Sequence, residues 1–316
     1  MSKDNNRVCA PVIVFTYNRP KHTKRTIEAL AANELASSTE LYIFSDAAKK
    51  ETDRDKVDRI RAYANTVRGF SRVTLIAREE NFGLAKNVIR GVTDIINRYG
   101  KVIVLEDDLV TNRFFLRFMN DGLDRYQNQP KVTGITGFSH FADSLPFQGE
   151  TLFHTLTGTS WSWATWEDRW IYFDEACSDW TDLMQDAALR RKFNYDNTYD
   201  FYKIMKMQQT TENLNSWAIR WYWVNFKRDS LILAPVRSLV SNEGWDGSGV
   251  HCGSKKGAAF EHTLSTSRAI QEFPKEIAET KETHRQMKRA LKREWEPLLI
   301  KRIYHRAVRK NYVGGK

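Results

Sequence analysis

The sequence has little cysteine: three of 316 residues, Cys9, Cys177 and Cys252, far apart and with no Cys-x-x-Cys pair. That scarcity excludes a disulfide framework and a zinc ribbon, and it fits a reducing compartment. Internal repeats and low-complexity stretches are also missing, and 41% hydrophobic residues exclude disorder and collagen-like composition. No apolar run approaches the ~18 residues of a membrane span. The opening MSKDNNRVCAPVIVF holds no apolar stretch of signal-peptide length. A cytoplasmic protein is expected, long enough for one large domain or two small ones.

Acidic residues are few relative to basic ones, 39 against 49, for a formal net charge of +10. The imbalance is local. Eleven bases and two acids, Glu294 and Glu296, lie in 284–316; taking them away leaves 38 bases against 37 acids in 1–283. A near-neutral body makes nucleic acid an unfavoured partner. In the tail, Trp295, Leu298, Leu299, Ile303 and Val308 interleave with cations, and Pro297 divides the stretch into two helices. Basic amphipathic helices of this kind bind anionic membrane surfaces, at up to ~1 kcal/mol per basic residue. Peripheral attachment at the inner face of the membrane through 284–316 is the expectation. A helix packed on the body is the plainer alternative.

The first third alternates short apolar runs at 12–15, 41–44, 73–77 and 102–105 with segments of helical period at 21–32, 53–66 and 84–99. That alternation predicts βαβ units on a mostly parallel, Rossmann-like α/β sheet flanked by helices. Residues 1–135 read as a nucleotide-binding half and 136–270 as a second lobe, with nine of the ten tryptophans between Trp161 and Trp245. Residues 271–316 complete the chain as the basic helical tail.

Ligands of such sheets sit at the carboxyl ends of the strands. Those ends carry Thr16-Tyr17-Asn18-Arg19-Pro20, Ser45-Asp46 and Glu106-Asp107-Asp108. Three adjacent carboxylates repel one another and call for a cation. Oxygen-only ligation suits Mg²⁺ or Mn²⁺ shared with a substrate diphosphate; a solvated acidic turn is the alternative. Asp46 is placed to accept from a base N–H or to cap a helix, and Arg19 to meet a phosphate. Gly83 opens the helix behind Asn81-Phe82, where free amides favour anions and Lys86 lies one turn on.

Taken together, TYNRP, SDA, NFGLAKN and VLEDD resemble a GT-A glycosyltransferase of the N-acetylglucosaminyltransferase I group and its bacterial surface-polysaccharide relatives. The resemblance implies a UDP-sugar donor and a divalent metal, with Asp108 as direct metal ligand. It places Glu106 and Asp107 near ribose and metal waters, Arg19 on the diphosphate, Asp46 on the uracil, and Thr16, Tyr17, Gly83 and Lys86 around the donor. It further implies transfer with inversion to a saccharide or lipid-linked saccharide in bacterial surface glycan synthesis.

In the second lobe, Gly158 to Ala164 resembles the start of the acceptor side; buried tryptophans there would be core, and exposed ones would stack sugar rings. Ser216, Trp217 and Ala218 stand where the animal enzymes of the group carry their catalytic Asp, so that base is not carried over. Asp246, Glu212 and Asp168 are the candidates for deprotonating the acceptor. The glycine-rich 239–251 segment resembles the donor-covering loop, with His251 aimed at diphosphate or metal. Rival readings are a sugar nucleotidyltransferase, which wants a Gly-rich phosphate loop after the first strand where TYNRP stands, and a non-enzymatic basic membrane or nucleic-acid adaptor built on the tail.

Overall fold

The computed structural model describes residues 7–141, 149–157, 160–211, 214–246, 264 and 268–293, and every structural statement below concerns these. The first half runs β1 (Val12–Thr16), α1 (Pro20–Ala31), β2 (Glu40–Ser45), α2 (Arg54–Ala64), β3 (Arg72–Ala77), α3 (Gly83–Tyr99), β4 (Lys101–Glu106), β5 (Leu109–Thr111) and α4 (Phe115–Tyr126). The second holds β6 (Val132–Thr136), β7 (Thr151–His154), β8 (Trp163–Trp166), α5 (Glu167–Trp170), α6 (Asp182–Gln185), α7 (Ala187–Phe193), α8 (Phe201–Thr210), α9 (Trp217–Lys227), β9 (Leu231–Pro235) and β10 (Val240–Asn242). A further helix covers 281–293.

Eight strands form one mixed sheet in the order β3-β2-β1-β4-β8-β6-β9-β7. β1, β2, β3 and β4 are parallel, as the alternating pattern requires, while β8 runs antiparallel to both β4 and β6. β6 and β9 are parallel to each other and β7 closes the sheet antiparallel to β9. This is the expected Rossmann-like α/β fold, with the sheet continuing into the second half of the chain. The carboxyl ends of β1, β2 and β4 share one edge.

Alternation along each strand divides the core in two. Val12, Val14, Leu41, Ile43, Ile103 and Leu105 pack with Ile27 and Leu30 of α1 and Phe115 and Phe118 of α4 on one face. Ile13, Phe15, Tyr42, Phe44, Val102 and Val104 pack with Val88 and Val92 of α3 and with Trp163, Trp217 and Trp221 on the other. Trp163, Trp166, Trp170, Trp217, Trp221 and Trp223 are all buried, so these indoles are core rather than sugar platforms. A third cluster joins Phe193, Tyr195, Tyr222 and Trp223 to Met287 and Leu291 of the 281–293 helix. The start of the basic tail therefore packs on the body; residues 294–316, with Trp295 and Pro297, lie outside the described residues.

Local chemistry sets the helix ends. Pro20 opens α1 with its φ already fixed. Gly100 ends α3 at φ +70°, a left-handed conformation that glycine adopts without strain, and its amide donates to the Ile96 carbonyl at 2.7 Å. No helix among the described residues is long and apolar enough to cross a membrane.

Two predictions follow from packing and charge. A Cβ on Gly91 of α3 would meet the Phe15 ring at 2.8 Å and Phe44 at 3.0 Å. Gly91→Ala should therefore lower stability by about 1–3 kcal/mol by overpacking, instead of the gain expected in an open helix. Urea denaturation reads the difference. The second concerns His284, whose Nδ1 faces Glu279 Oε2 at 2.9 Å and whose Nε2 faces Asp196 Oδ2 at 3.0 Å, with Lys288 on the same Asp196 oxygen at 3.0 Å. Burial opposes its charge, but the bonds to Asp196 and Glu279 outweigh burial and raise its pKa. A raised folded-state pKa gives stability that is fully present below about pH 6.5 and is lost as pH rises through the folded value. The Tm gap between wild type and His284→Gln should be widest on the acid side of neutrality and close at alkaline pH.

Candidate functional site

The acidic strand end is built from β4 outward. Glu106 closes β4, and Asp107 and Asp108 turn the chain into β5. Both aspartates are buried, at 3% and 7% exposure. Arg19 leaves the end of β1 and ion-pairs with both: Nη2 with Asp107 and Nη1 with Asp108 Oδ2 at 2.9 Å. The remaining support comes from α1, one and two turns on. The Thr26 hydroxyl donates to the Asp107 carbonyl at 2.9 Å and the Thr23 hydroxyl to the Asp107 carboxylate at 3.5 Å. The cation that the triplet demands is thus supplied within the chain by Arg19.

One guanidinium does not cancel three carboxyls. Burial, with Asp108 and Asp107 adding to it, pushes the Glu106 carboxyl up to about 8. Burial also raises Asp107 despite the opposing pull of Arg19. Burial works against the charge of Arg19, yet the two aspartates raise its pKa further. Asp107 and Asp108 share a single guanidinium, so the edge offers more hard oxygen donors than its counter-charge occupies, which suits a Mg²⁺- or Mn²⁺-type ion. Among the described residues no three His, Cys, Asp or Glu side chains converge on one point, so an ion here would rest on few protein ligands and complete its shell from elsewhere.

Asp46 follows β2 and reaches across to the start of α3. Its carboxylate accepts from the amides of Ala47 at 2.9 Å, Phe82 at 2.8 Å and Gly83 at 2.9 Å, and from Asn81 Nδ2 at 3.2 Å. The amides expected to hold a donor anion are occupied by this carboxylate, and Asp46 acts as a cap supplied from a neighbouring strand. Gly83 sits at φ +70° with open space where a Cβ would point. Lys86 pairs with Glu80 at 3.5 Å and lies 4.0 Å over the Phe82 ring, about half exposed. Thr16 is buried and bonds the Phe44 carbonyl at 3.3 Å. The Tyr17 hydroxyl donates to Asp53 at 2.8 Å and accepts from the Lys49 amide at 3.0 Å.

The second half contributes a strap. β10 pairs antiparallel with β5, Asn242 opposite Leu109. The Glu243 amide then donates to the Asp108 carbonyl at 2.8 Å, and Arg25 of α1 holds the Glu243 carboxylate at 2.7 Å. Asp246 lies 3.2 Å from His22 Nε2 on α1. Gly244 passes so close that a Cβ would fall 2.3 Å from Asp108 Oδ2.

Of the carboxylates considered as the base, Asp246 is therefore at the acidic edge. Asp168 is not. Trp166 pairs with Lys101 at the start of β4, so Asp168 on α5 lies at the opposite edge of the sheet, largely exposed and paired with Arg169. Antiparallel β8 carries it away, a reversal that sequence periodicity does not reveal. Glu212 and His251 lie outside the described residues. Four contributors escaped the sequence reading: His22, Thr23 and Thr26, which share a face of α1 with Arg19 at helical spacing, and Asp53, which anchors Tyr17 and Asn18. The α1 face was there to be found as a polar stripe beginning at Arg19. Asp53 had no local signal.

With this geometry in view, residues 12–127 match the sequence model of Glycosyl transferase family 2. Over these residues the chain is similar to a glycosyltransferase domain. The match runs from β1 to the end of α4 and so includes the whole acidic edge except the strap. A search of curated proteins finds no match. Among solved structures, Staphylococcus aureus TarS 1-349 is 14% identical with a TM-score of 0.41, covering 73% of this chain and 59% of its own. The same protein in complex with UDP-GlcNAc gives 15% identity, a TM-score of 0.32, and coverage of 47% and 38%. Mannosyltransferase PcManGT from Pyrobaculum calidifontis, in complex with GDP-Man and Mn²⁺, gives 12% identity, a TM-score of 0.38 and 70% of each chain. The chain thus spans less than two thirds of the length of the TarS chains it resembles.

The strap over the acidic edge makes one position sensitive to a single methyl. Gly244→Ala should push the strap or the Asp108 carboxylate aside and lower stability by about 1–3 kcal/mol. Urea titration measures the loss, and a crystal structure of the variant should show either β10 displaced from β5 or the Asp108 carboxylate moved.

Proposed function

We propose that the protein transfers a sugar from a nucleotide-diphosphate donor to a saccharide hydroxyl. The observation that carries this reading is the surplus of buried carboxylate at Glu106-Asp107-Asp108, at the carboxyl edge of a glycosyltransferase domain and facing Arg19. Asp108 would hold a divalent ion, Mn²⁺ or Mg²⁺, with Glu106 and Asp107 nearby. When bound, such an ion neutralises charge on the leaving diphosphate.

The side chains of the chain supply the rest. Arg19 binds the acids in the ligand-free protein and is positioned to exchange that partner for a phosphoryl oxygen. Tyr17 and Asn18 are held by Asp53, which fixes the turn that presents Arg19. Asp46 orients the α3 N-terminus by its three hydrogen bonds to Asn81, Phe82 and Gly83. We assign the acceptor proton to Asp246, a reading supported by its position beside His22 at the same edge. The resemblance of the strand-end motifs supports a UDP-sugar donor, inversion, and a saccharide or lipid-linked acceptor of a bacterial surface glycan.

Asp108→Asn keeps the shape and removes the charge. Transfer and donor hydrolysis across a panel of UDP-, GDP- and CDP-sugars with Mn²⁺ should fall by a factor on the order of 100 or more. The rise in Tm that UDP with Mn²⁺ gives the wild type should disappear. Unchanged turnover in the variant overturns the reading.

A further inference from the structure

Trp217 stacks on Trp163 at 5.0 Å, and Trp163 is the register partner of Val104, two residues before Glu106. One turn later Trp221 lies 5.1 Å from Trp170, beyond the Trp166 that pairs with Lys101 at the other end of β4. Helix α9 therefore runs from the acidic edge toward the opposite edge, with its N-terminus at the acidic edge. Ser216 caps it, accepting from the Ile219 amide at 3.4 Å. The amides of Trp217 and Ala218, which have no partner within the helix, make no hydrogen bond among the described residues.

Arg220 stands in the first turn of α9 and is only 9% exposed. Helical side chains lean toward the N-terminus, and this one does: Nη1 donates to Asn215 Oδ1 at 3.0 Å, the residue just before the cap. Its Nε is buried with no partner, and among the described residues no carboxylate pairs with it. The contrast with Arg169 is instructive. That guanidinium, also buried, pairs with Asp168 and donates to the carbonyls of Gln127 at 2.6 Å, Tyr126 at 3.3 Å and Val132 at 3.4 Å. A buried cation is ordinarily compensated in this way; Arg220 has one neutral amide oxygen.

We propose that Arg220 and the first-turn amides of α9 form a binding site for a phosphate group. A guanidinium fork and two helix-terminal amides present more N–H donors than the two coplanar oxygens of a carboxylate engage together, whereas the oxygens of a tetrahedral phosphate meet both. The start of α9 lies at the acidic edge, so the phosphate belongs either to the donor diphosphate or to a phosphate-bearing acceptor. That choice of source rests on the transferase reading; the site itself does not.

The test measures binding of inorganic phosphate and, separately, of UDP to the full chain by calorimetry. Wild type should bind phosphate, and Arg220→Met should weaken it by about tenfold or more. Removing an undercompensated buried charge should leave the phosphate-free Tm unchanged or raised. Ala218→Pro deletes one amide donor at a helix position that tolerates proline while keeping the charge, and should weaken phosphate about threefold. It decides the matter if Arg220→Met fails to fold. Loss of both phosphate and UDP binding assigns the site to the donor, and loss of phosphate alone to the acceptor. Phosphate affinity absent from wild type, or retained in the variants, overturns the proposal. The phosphate arm uses neither donor sugar nor turnover, so it fails independently of the transferase reading.

Discussion

Mutual repulsion among Glu106, Asp107 and Asp108 is the constraint around which the rest of the structure is arranged. Carboxylates side by side at a buried strand end would drive the chain apart without counter-charge. The fold answers by bringing Arg19 from the end of β1, threonine hydroxyls from α1 and a backbone amide from Glu243 onto the same few atoms. Each comes from a different element. β1, α1 and the segment after β10 thus meet at one electrostatic problem.

Much of the first half was legible because it depends on local pattern. Every strand and helix from β1 to β4 lies where periodicity puts it, and polar residues cluster at the strand ends because parallel topology sends those ends to one edge. The EDD triplet and Arg19 could be singled out for the same reason. What pattern could not show was which donors meet which acceptors. Asp46 stands at a strand end, as a ligand-binding residue would, yet its hydrogen bonds cap a helix more than thirty residues away. Asp168 stands in a polar, aromatic stretch, but the antiparallel sense of β8 sets it at the wrong edge.

The second half reads less clearly because its signals carry more than one meaning. Tryptophan density suggests either a core or a carbohydrate surface, and burial decides for the core in six cases. α9 shows the economy of that arrangement: Trp217, Trp221 and Val224 face the α3 side of the sheet, while Ile219, Tyr222 and Trp223 face the third cluster. A helix apolar on two sides has a narrow stripe left for polar residues, and Arg220 falls within the buried part of it.

The β5–β10 ladder joins residues about 130 positions apart, next to Asp108. Loops of that length close slowly, since the entropy of bringing their ends together is lost before any contact is gained. The order of events in folding then has a chemical meaning. An intermediate with only residues 12–127 ordered would display its carboxylates without the Glu243 amide or Gly244 above them, open to any cation in solution. The cover of the acidic edge thus depends on the two halves of the chain having met.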